Sequence, residues 1–244
     1  MFKRKPHILA LRAMDLSGKV AIITGVSKGI GLATVEALLA KGMHVAGWGR
    51  TAPADFQHPR FHFIECDVRD EKAVQKAFKA TQKQLGEEVH VLVNNAGLGI
   101  SGAVDGFSAD DWRLMFDTNV HGTFYCTQAV LPAMKKQQLG HIFNISSIAG
   151  TTGIENMAGY CASKFAVRGF SQSVFKEVRK DGIKVTCIYP GSTQTNFFDD
   201  IPGVEANEGM MQPKDIADTM IYALETPFNF HLVDIEMRPL QPKK

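Results

Sequence analysis

The sequence predicts one α/β domain, a doubly wound parallel sheet flanked by helices on both faces. Three observations predict it. From Lys19 onward, short and almost continuously apolar runs alternate with longer amphipathic ones. That is the pattern of parallel strands buried on both faces and joined by helices. The first apolar run ends in a glycine-rich turn, TGVSKGIG at 24–31, and a helical pattern follows at once. The chain has 244 residues, 45% of them hydrophobic, which suffices for one core without staples.

The elements follow in order. VAIIT at 20–24 is the first strand, and the glycine turn opens a helix over 30–40. Strands are expected at 44–47 and 61–65, then a helix over 71–85 and a strand at 89–94. A long helical pattern over 109–136, with a break near Asp117, leads into a strand at 141–146. The helix over 158–180 precedes a strand at 184–189, and a helix over 213–225 precedes a last strand at 233–237. No repeat, low-complexity tract or linker divides the chain. Residues 53–59 form a short polar loop. The expected organisation is an N-terminal arm over 1–16 and one domain over 17–244.

Composition removes several classes of function. The 27 basic and 25 acidic side chains leave a net charge of +2, far from the dense basic face of a nucleic-acid binder. Four scattered cysteines without a CxxC pair make no disulfide framework and point to a reducing, cytoplasmic compartment. MFKRKPHILALRAM carries basic residues before a short apolar stretch that Arg12 interrupts. It fits no signal peptide and reads as a mobile basic arm. No run of 18 apolar residues predicts a membrane span. His58 and His62 fall in a loop running into a strand, and the other histidines lack ligand spacing, so no metal is expected. There is no GxSxG elbow and no GK[ST] ending a P-loop.

Glycines in the 24–31 turn let a pyrophosphate approach the N–H groups of a helix N-terminus. With a strand before and a helix after, the turn reads as a Rossmann-type dinucleotide site. An acid that would bind the ribose 2′-hydroxyl is expected at the end of the second strand. The sequence there is HVAGWGRT, with Gly49 and Arg50 in its place. Arg50 can pair with a 2′-phosphate through its planar fork, and Lys28 adds a second cation. The pair favours NADP(H) over NAD(H).

Tyr160 and Lys164, in YCASK, share one helix face. A free tyrosine titrates near ~10, and a neighbouring ammonium lowers that value. The expected result is a phenol able to exchange a proton with a carbonyl or alcohol oxygen. Ser147, at the end of the expected fifth strand in NISSIAG, would face the same crevice.

Taken together, TGVSKGIG, the NNAG of 94–97, Asn119 in DTNVHG, Ser147, YCASK, and Pro190-Gly191 followed by Thr195 resemble the main group of the short-chain dehydrogenase/reductase family. The motifs run in family order over more than nine-tenths of the chain. The resemblance implies Tyr160 as general acid in reduction and base in oxidation. It implies Lys164 as the group that lowers the Tyr160 pKa and binds the nicotinamide ribose. Ser147 would polarise the carbonyl, and Asn119 would hold a water linking Lys164 to solvent. Asp67 would contact the adenine amino group, with Val68 beside it. Asn94, Ala96 and Gly97 would pack against the adenine ribose, with Asn95 also in the cofactor set. Gly25, Ser27, Lys28, Gly29, Ile30 and Gly31 would cradle the pyrophosphate. Pro190, Gly191, Thr193 and Thr195 would border the carboxamide. Lys28, and Arg50 after the non-acidic Gly49, go with NADP(H) in this family.

The expected activity is therefore an NADP(H)-dependent interconversion of a carbonyl and a secondary alcohol on a small to medium substrate. Use of NAD(H), or a non-catalytic dinucleotide-binding regulatory role, are the alternatives. Phe197, Phe198, Ile201, Pro202 and Val204 would cover the substrate, with Gly153, Ile154 and residues 98–101 opposite and Met210 and Met211 as filler. No nucleic-acid or membrane partner is expected. Apolar residues on more than one face of the long helices, among them Phe124, Val130, Phe165 and Val174, predict a homodimer or homotetramer.

Overall fold

The computed structural model describes residues 13–195 and 207–240. Residues 1–12 of the expected arm, and the covering residues Phe197, Phe198, Ile201, Pro202 and Val204, lie outside them. Seven strands form one parallel sheet: β1 (Val20–Thr24), β2 (His44–Gly49), β3 (Phe61–Glu65), β4 (Val91–Asn94), β5 (Gly140–Ile145), β6 (Ile183–Pro190) and β7 (Asp234–Met237). Their order across the sheet is β3-β2-β1-β4-β5-β6-β7. The order reverses between β1 and β4, and a crevice opens at the carboxyl ends of the strands there.

Side-chain alternation splits the core into two layers. Ala21 and Ile23 of β1 face one layer, where Val35 and Leu38 of α1 (Gly29–Ala40) meet Ile216 and Met220 of α6 (Pro213–Leu224). Val20 and Ile22 face the other layer. There Val74 of α2 (Glu71–Leu85), Val130 of α4 (Gly122–Gln137) and Val174 of α5 (Ala158–Val178) converge. Met14 and Leu16, within the segment expected to be an arm, pack into the first layer. The buried Trp48 indole N–H finds a partner in the Thr81 hydroxyl at 3.0 Å.

Helix starts follow local chemistry. The Asp70 carboxylate accepts the Lys72 N–H at 2.8 Å at the start of α2. Ser108 accepts the Asp110 N–H at 3.1 Å ahead of α3 (Ala109–Phe116). Pro213 opens α6, where Asp215 reaches back to the Gln212 N–H at 2.7 Å.

No boundary of these elements differs from expectation by more than two residues. The strand expected from 89 begins at Val91, and the His90 ring accepts the Val20 N–H at 3.3 Å. The long helix is not broken near Asp117. It passes through a single π turn, Asp117–His121, between α3 and α4. The backbone stays right-handed helical at Phe116, Asp117, His121 and Gly122, so one extra residue is absorbed without an interruption.

Candidate active site

The turn after β1 is shaped by contacts that no side chain could share. Gly25 has a φ of +72°, and a Cβ on Gly31 would stand 2.1 Å from the Gly25 carbonyl oxygen. The turn is thereby folded against the first residues of α1, and their N–H groups open toward the crevice. A second anchor comes from β4. The Thr24 hydroxyl accepts the N–H groups of Asn95 at 3.0 Å and Ala96 at 2.9 Å, and the Asn95 amide donates to the Thr24 and Gly25 carbonyls, both at 2.9 Å.

These groups line a cavity of about 720 Å³ that runs from the turn to the end of β5. Of the expected catalytic and cofactor-binding residues, all but Gly31, Asn94 and Asn119 line it; the buried Asn94 instead donates to Thr127 Oγ1 at 3.0 Å and Asn144 Oδ1 at 2.8 Å. Gly31 sits behind the turn, and Asn119 sits one layer back, behind Gly97. Leu98, Gly99 and Ile154 of the expected substrate side line it too, whereas Gly153, Ile100 and Ser101 do not. Ile100 instead packs in the small apolar cluster around Tyr160 and Met115. Met211 forms a bridge with Thr193 and packs on the core.

At the inner end, β5 and α5 meet. The Ser146 hydroxyl donates to the Lys164 carbonyl at 3.0 Å, and a Cβ on Gly150 would lie 2.8 Å from that same carbonyl. This close approach brings Ser147, Tyr160 and Lys164 together. The Ser147 hydroxyl is paired with the Tyr160 phenol and also accepts the Ala149 N–H at 3.2 Å. Lys164 donates from Nζ to the Ile145 carbonyl at 2.8 Å and stands 5.6 Å from the centre of the Tyr160 ring.

The protonation states correct one expectation. Tyr160 is not lowered by Lys164. Burial pushes its phenol up to about 12, against the pull of the Ser147 hydrogen bond. Burial also drives the Lys164 ammonium down to about 8. Each group is taken out of water, and desolvation favours the neutral form of both. The phenol is accordingly a proton donor at neutral pH.

Asn119 belongs to the π turn. Its side chain accepts the Leu98 N–H and donates to the Leu98 carbonyl and the Ser163 hydroxyl, each at 2.9 Å. It ties three elements together. Its Oδ1 and the Lys164 Nζ both approach the bare face of Gly97, where a Cβ would stand 3.1 and 3.4 Å from them.

At the outer end, Lys28 and Arg50 are exposed and line the cavity. A Cβ added at Gly49 would meet ordinary van der Waals contacts and no clash, the nearest being the Thr51 carbonyl at 3.5 Å. Arg69 is a residue that sequence reasoning missed. Its Nε stands 3.0 Å from each Asp67 carboxylate oxygen and its Nη2 stands 2.5 Å from Oδ2. That hydrogen bonding, together with the nearby charge of Arg50, holds the Asp67 carboxyl below the usual carboxylate range. An adenine amino group would thus meet a carboxylate that is already paired. The signal was present as DVR at 67–69, but nothing in a sequence tells a paired arginine from a solvated one.

Four cysteines are free and buried. Among the described residues no cluster could hold a metal ion, and no helix is long and apolar enough to cross a membrane.

The family described as short chain dehydrogenase matches residues 19–204. An uncharacterized oxidoreductase of Staphylococcus saprophyticus is 35% identical over 236 residues, spanning 93% of this chain and 100% of that protein. Among solved structures, the closed form of serine dehydrogenase complexed with NADP+ superposes with a TM-score of 0.83 at 26% identity, over 92% of this chain and 96% of that one. ElxO with NADP bound gives 0.80 at 29% identity, over 89% and 97%.

Proposed function

The chain belongs to the short-chain dehydrogenase family and is an oxidoreductase, and from that premise we propose that it interconverts a carbonyl and a secondary alcohol on a small to medium organic substrate, with NADP(H) preferred over NAD(H). The observation that carries this reading is the pairing of Ser147 with Tyr160 in the same cavity as the glycine turn. The first gives a proton donor held by a hydroxyl, and the second gives a cradle of backbone N–H groups for a pyrophosphate.

Bound NADPH would supply the hydride. Tyr160 Oη delivers its proton to the carbonyl oxygen, which Ser147 Oγ steadies. Burial keeps that proton on the phenol until the oxygen gains charge. In the reverse direction Tyr160 must accept a proton, and the Lys164 ammonium then supports the phenolate. Lys164, which lines the cavity, would also bind the nicotinamide ribose, and Asn119 holds the Leu98 backbone beside it. Gly25, Ser27, Gly29 and Ile30 would hold the pyrophosphate, while Pro190, Gly191, Thr193 and Thr195 would border the nicotinamide ring; all eight line the cavity. Lys28 and Arg50 match a 2′-phosphate, and Gly49 sets no acid against it. The walls near Tyr160 are apolar, with Leu98, Ile148, Ile154 and Met157 lining them, which suits a carbonyl compound without a large charge.

Phe124 on α4 and Phe165 on α5 remain 41% and 43% exposed, while Val130 and Val174 of the same helices are in the core. Those second apolar faces support a homodimer or homotetramer, which a solution mass of 26.8 kDa by light scattering would overturn. The free cysteines suit a reducing, cytoplasmic setting.

The test is a panel of carbonyl compounds with NADPH, followed by absorbance loss. Turnover of at least one compound that Tyr160→Phe abolishes is the expected result. Equal turnover by the variant sinks the mechanism.

A further inference from the structure

We infer that Arg69 sets nucleotide choice through Asp67, by neutralising a carboxylate that would otherwise repel a 2′-phosphate; this rests on the NADP(H) reading above. Among the described residues lining the cavity, Asp67 is the one carboxylate, set against the cations Lys28, Arg50, Arg69 and Lys164. Like charges facing one another in a recess are costly, and their removal is a way of admitting an anionic partner.

The geometry is that of a closed pair. Besides the three side-chain contacts, the Arg69 backbone N–H donates to Asp67 Oδ1 at 3.0 Å. Backbone, Nε and Nη2 of one residue therefore hold both oxygens. The two residues are adjacent but one in sequence, so little chain ordering is needed to form the pair. Their side chains are 36% and 31% exposed, which limits the worth of the pair to stability. The pair still acts on a charged visitor arriving at the same rim, to an extent that added salt would reduce. Arg69 is thus a positioning residue that acts on the nucleotide through Asp67. Among the described residues, Lys28 and Arg50 form no ion pair with an acid of their own, and the Asp67 that Arg50 lies near is already held by Arg69.

The experiment measures the dissociation constants of NADPH and NADH by calorimetry on the full chain. The variants are Arg69→Ala, Arg69→Lys, Asp67→Asn and Arg69→Ala with Asp67→Asn, and thermal melts run alongside. Arg69→Ala should cut the preference for NADPH over NADH about tenfold, chiefly by weakening NADPH. Arg69→Lys keeps the charge without the fork and should keep most of the preference. Adding Asp67→Asn to Arg69→Ala should restore most of it, because no carboxylate is left to neutralise. A merely structural role would weaken both nucleotides together and leave their ratio unmoved, which overturns the inference. So does a loss that persists in full in the Asp67→Asn background, since Arg69 would then contact the phosphate itself. A parent chain that binds both nucleotides equally removes the NADP(H) reading instead. Arg69→Ala must then drive the ratio in favour of NADH, and a ratio that stays near one overturns the inference as well.

Discussion

At the outer end of the cavity the charged groups stand in solvent, and at the inner end they are buried. Lys28 and Arg50 are exposed on loops and at a helix start. Tyr160 and Lys164 are only 7% and 5% exposed on α5. The outer end works by the placement of fixed charges, which water and salt screen. The inner end works by withholding water, so that burial itself decides which group carries a proton. The difference teaches that two functions of one cavity, choosing a nucleotide and moving a proton, call for opposite surroundings.

Substitutions at the two ends should therefore differ in kind and in size. Tyr160→Phe removes the buried donor but keeps the ring. Turnover should fall ~10²–10⁴-fold with NADPH affinity little changed, measured by single-turnover reduction. A variant that keeps more than about a tenth of parental turnover breaks the contrast. Lys164→Ala should lower turnover and cofactor affinity together. Combining it with Tyr160→Phe should add little, since both serve one proton transfer.

The buried end should also respond to pH where the exposed end does not. The Lys164 ammonium, driven down to about 8, is charged below that pH and neutral above it. Reduction should weaken as pH rises through about 8. The phenol, pushed up to about 12, keeps its proton across that range. A pH profile of turnover that stays flat from 7 to 10 counts against this assignment.

At the exposed end, Arg50→Ala should cost NADPH about tenfold in affinity and NADH little. Raising the salt concentration should shrink that difference. Gly49→Asp has room for its Cβ and should reverse the preference, because an acid there repels the 2′-phosphate. Comparable affinities for both nucleotides in the Gly49→Asp chain would show that the charge at this position is not what discriminates.

The smallest effect concerns stability and lies away from the cavity. His141 stacks 4.0 Å from Phe143 and contacts the Thr186 hydroxyl at 2.8 Å, with His231 packed across it. Burial holds both imidazoles below the usual histidine range, and the charge of Lys184 beside them adds to this. In the unfolded chain they gain protons as pH falls below ~6.5. The folded state binds fewer, so stability is full above that pH and declines below it. Melting temperatures at pH 5 should lie below those at pH 7, and His231→Gln should narrow the gap.

The sheet was legible because its strands are nearly continuous apolar runs, which leave one architecture open. The glycine turn and the Tyr160–Lys164 spacing were legible because chemistry fixes the distances between their members. Three features were not. The π turn at 117–121 has no compositional mark, since Asp117, Thr118 and Asn119 read equally as a break. The raised Tyr160 phenol depends on how closely α5 seats on β5, which the Ser146 and Gly150 contacts set and spacing does not. The Arg69–Asp67 pair depends on a side-chain rotamer, and DVR reads as an exposed turn.

That π turn gives chain length a hold over the site that residue identity lacks. A straight α-helix rotates about 100° per residue, so removing one residue of 117–121 other than Asn119 would turn the preceding helical segment by that angle relative to α4. Met115, whose methyl would lie 2.5 Å from a Cβ on Gly159, would swing off the base of α5. The Asn119 amide would lose its reach to Leu98 or to Ser163. A loss of one codon, with every named catalytic residue still encoded, would uncouple the proton-moving end from the loop that faces it.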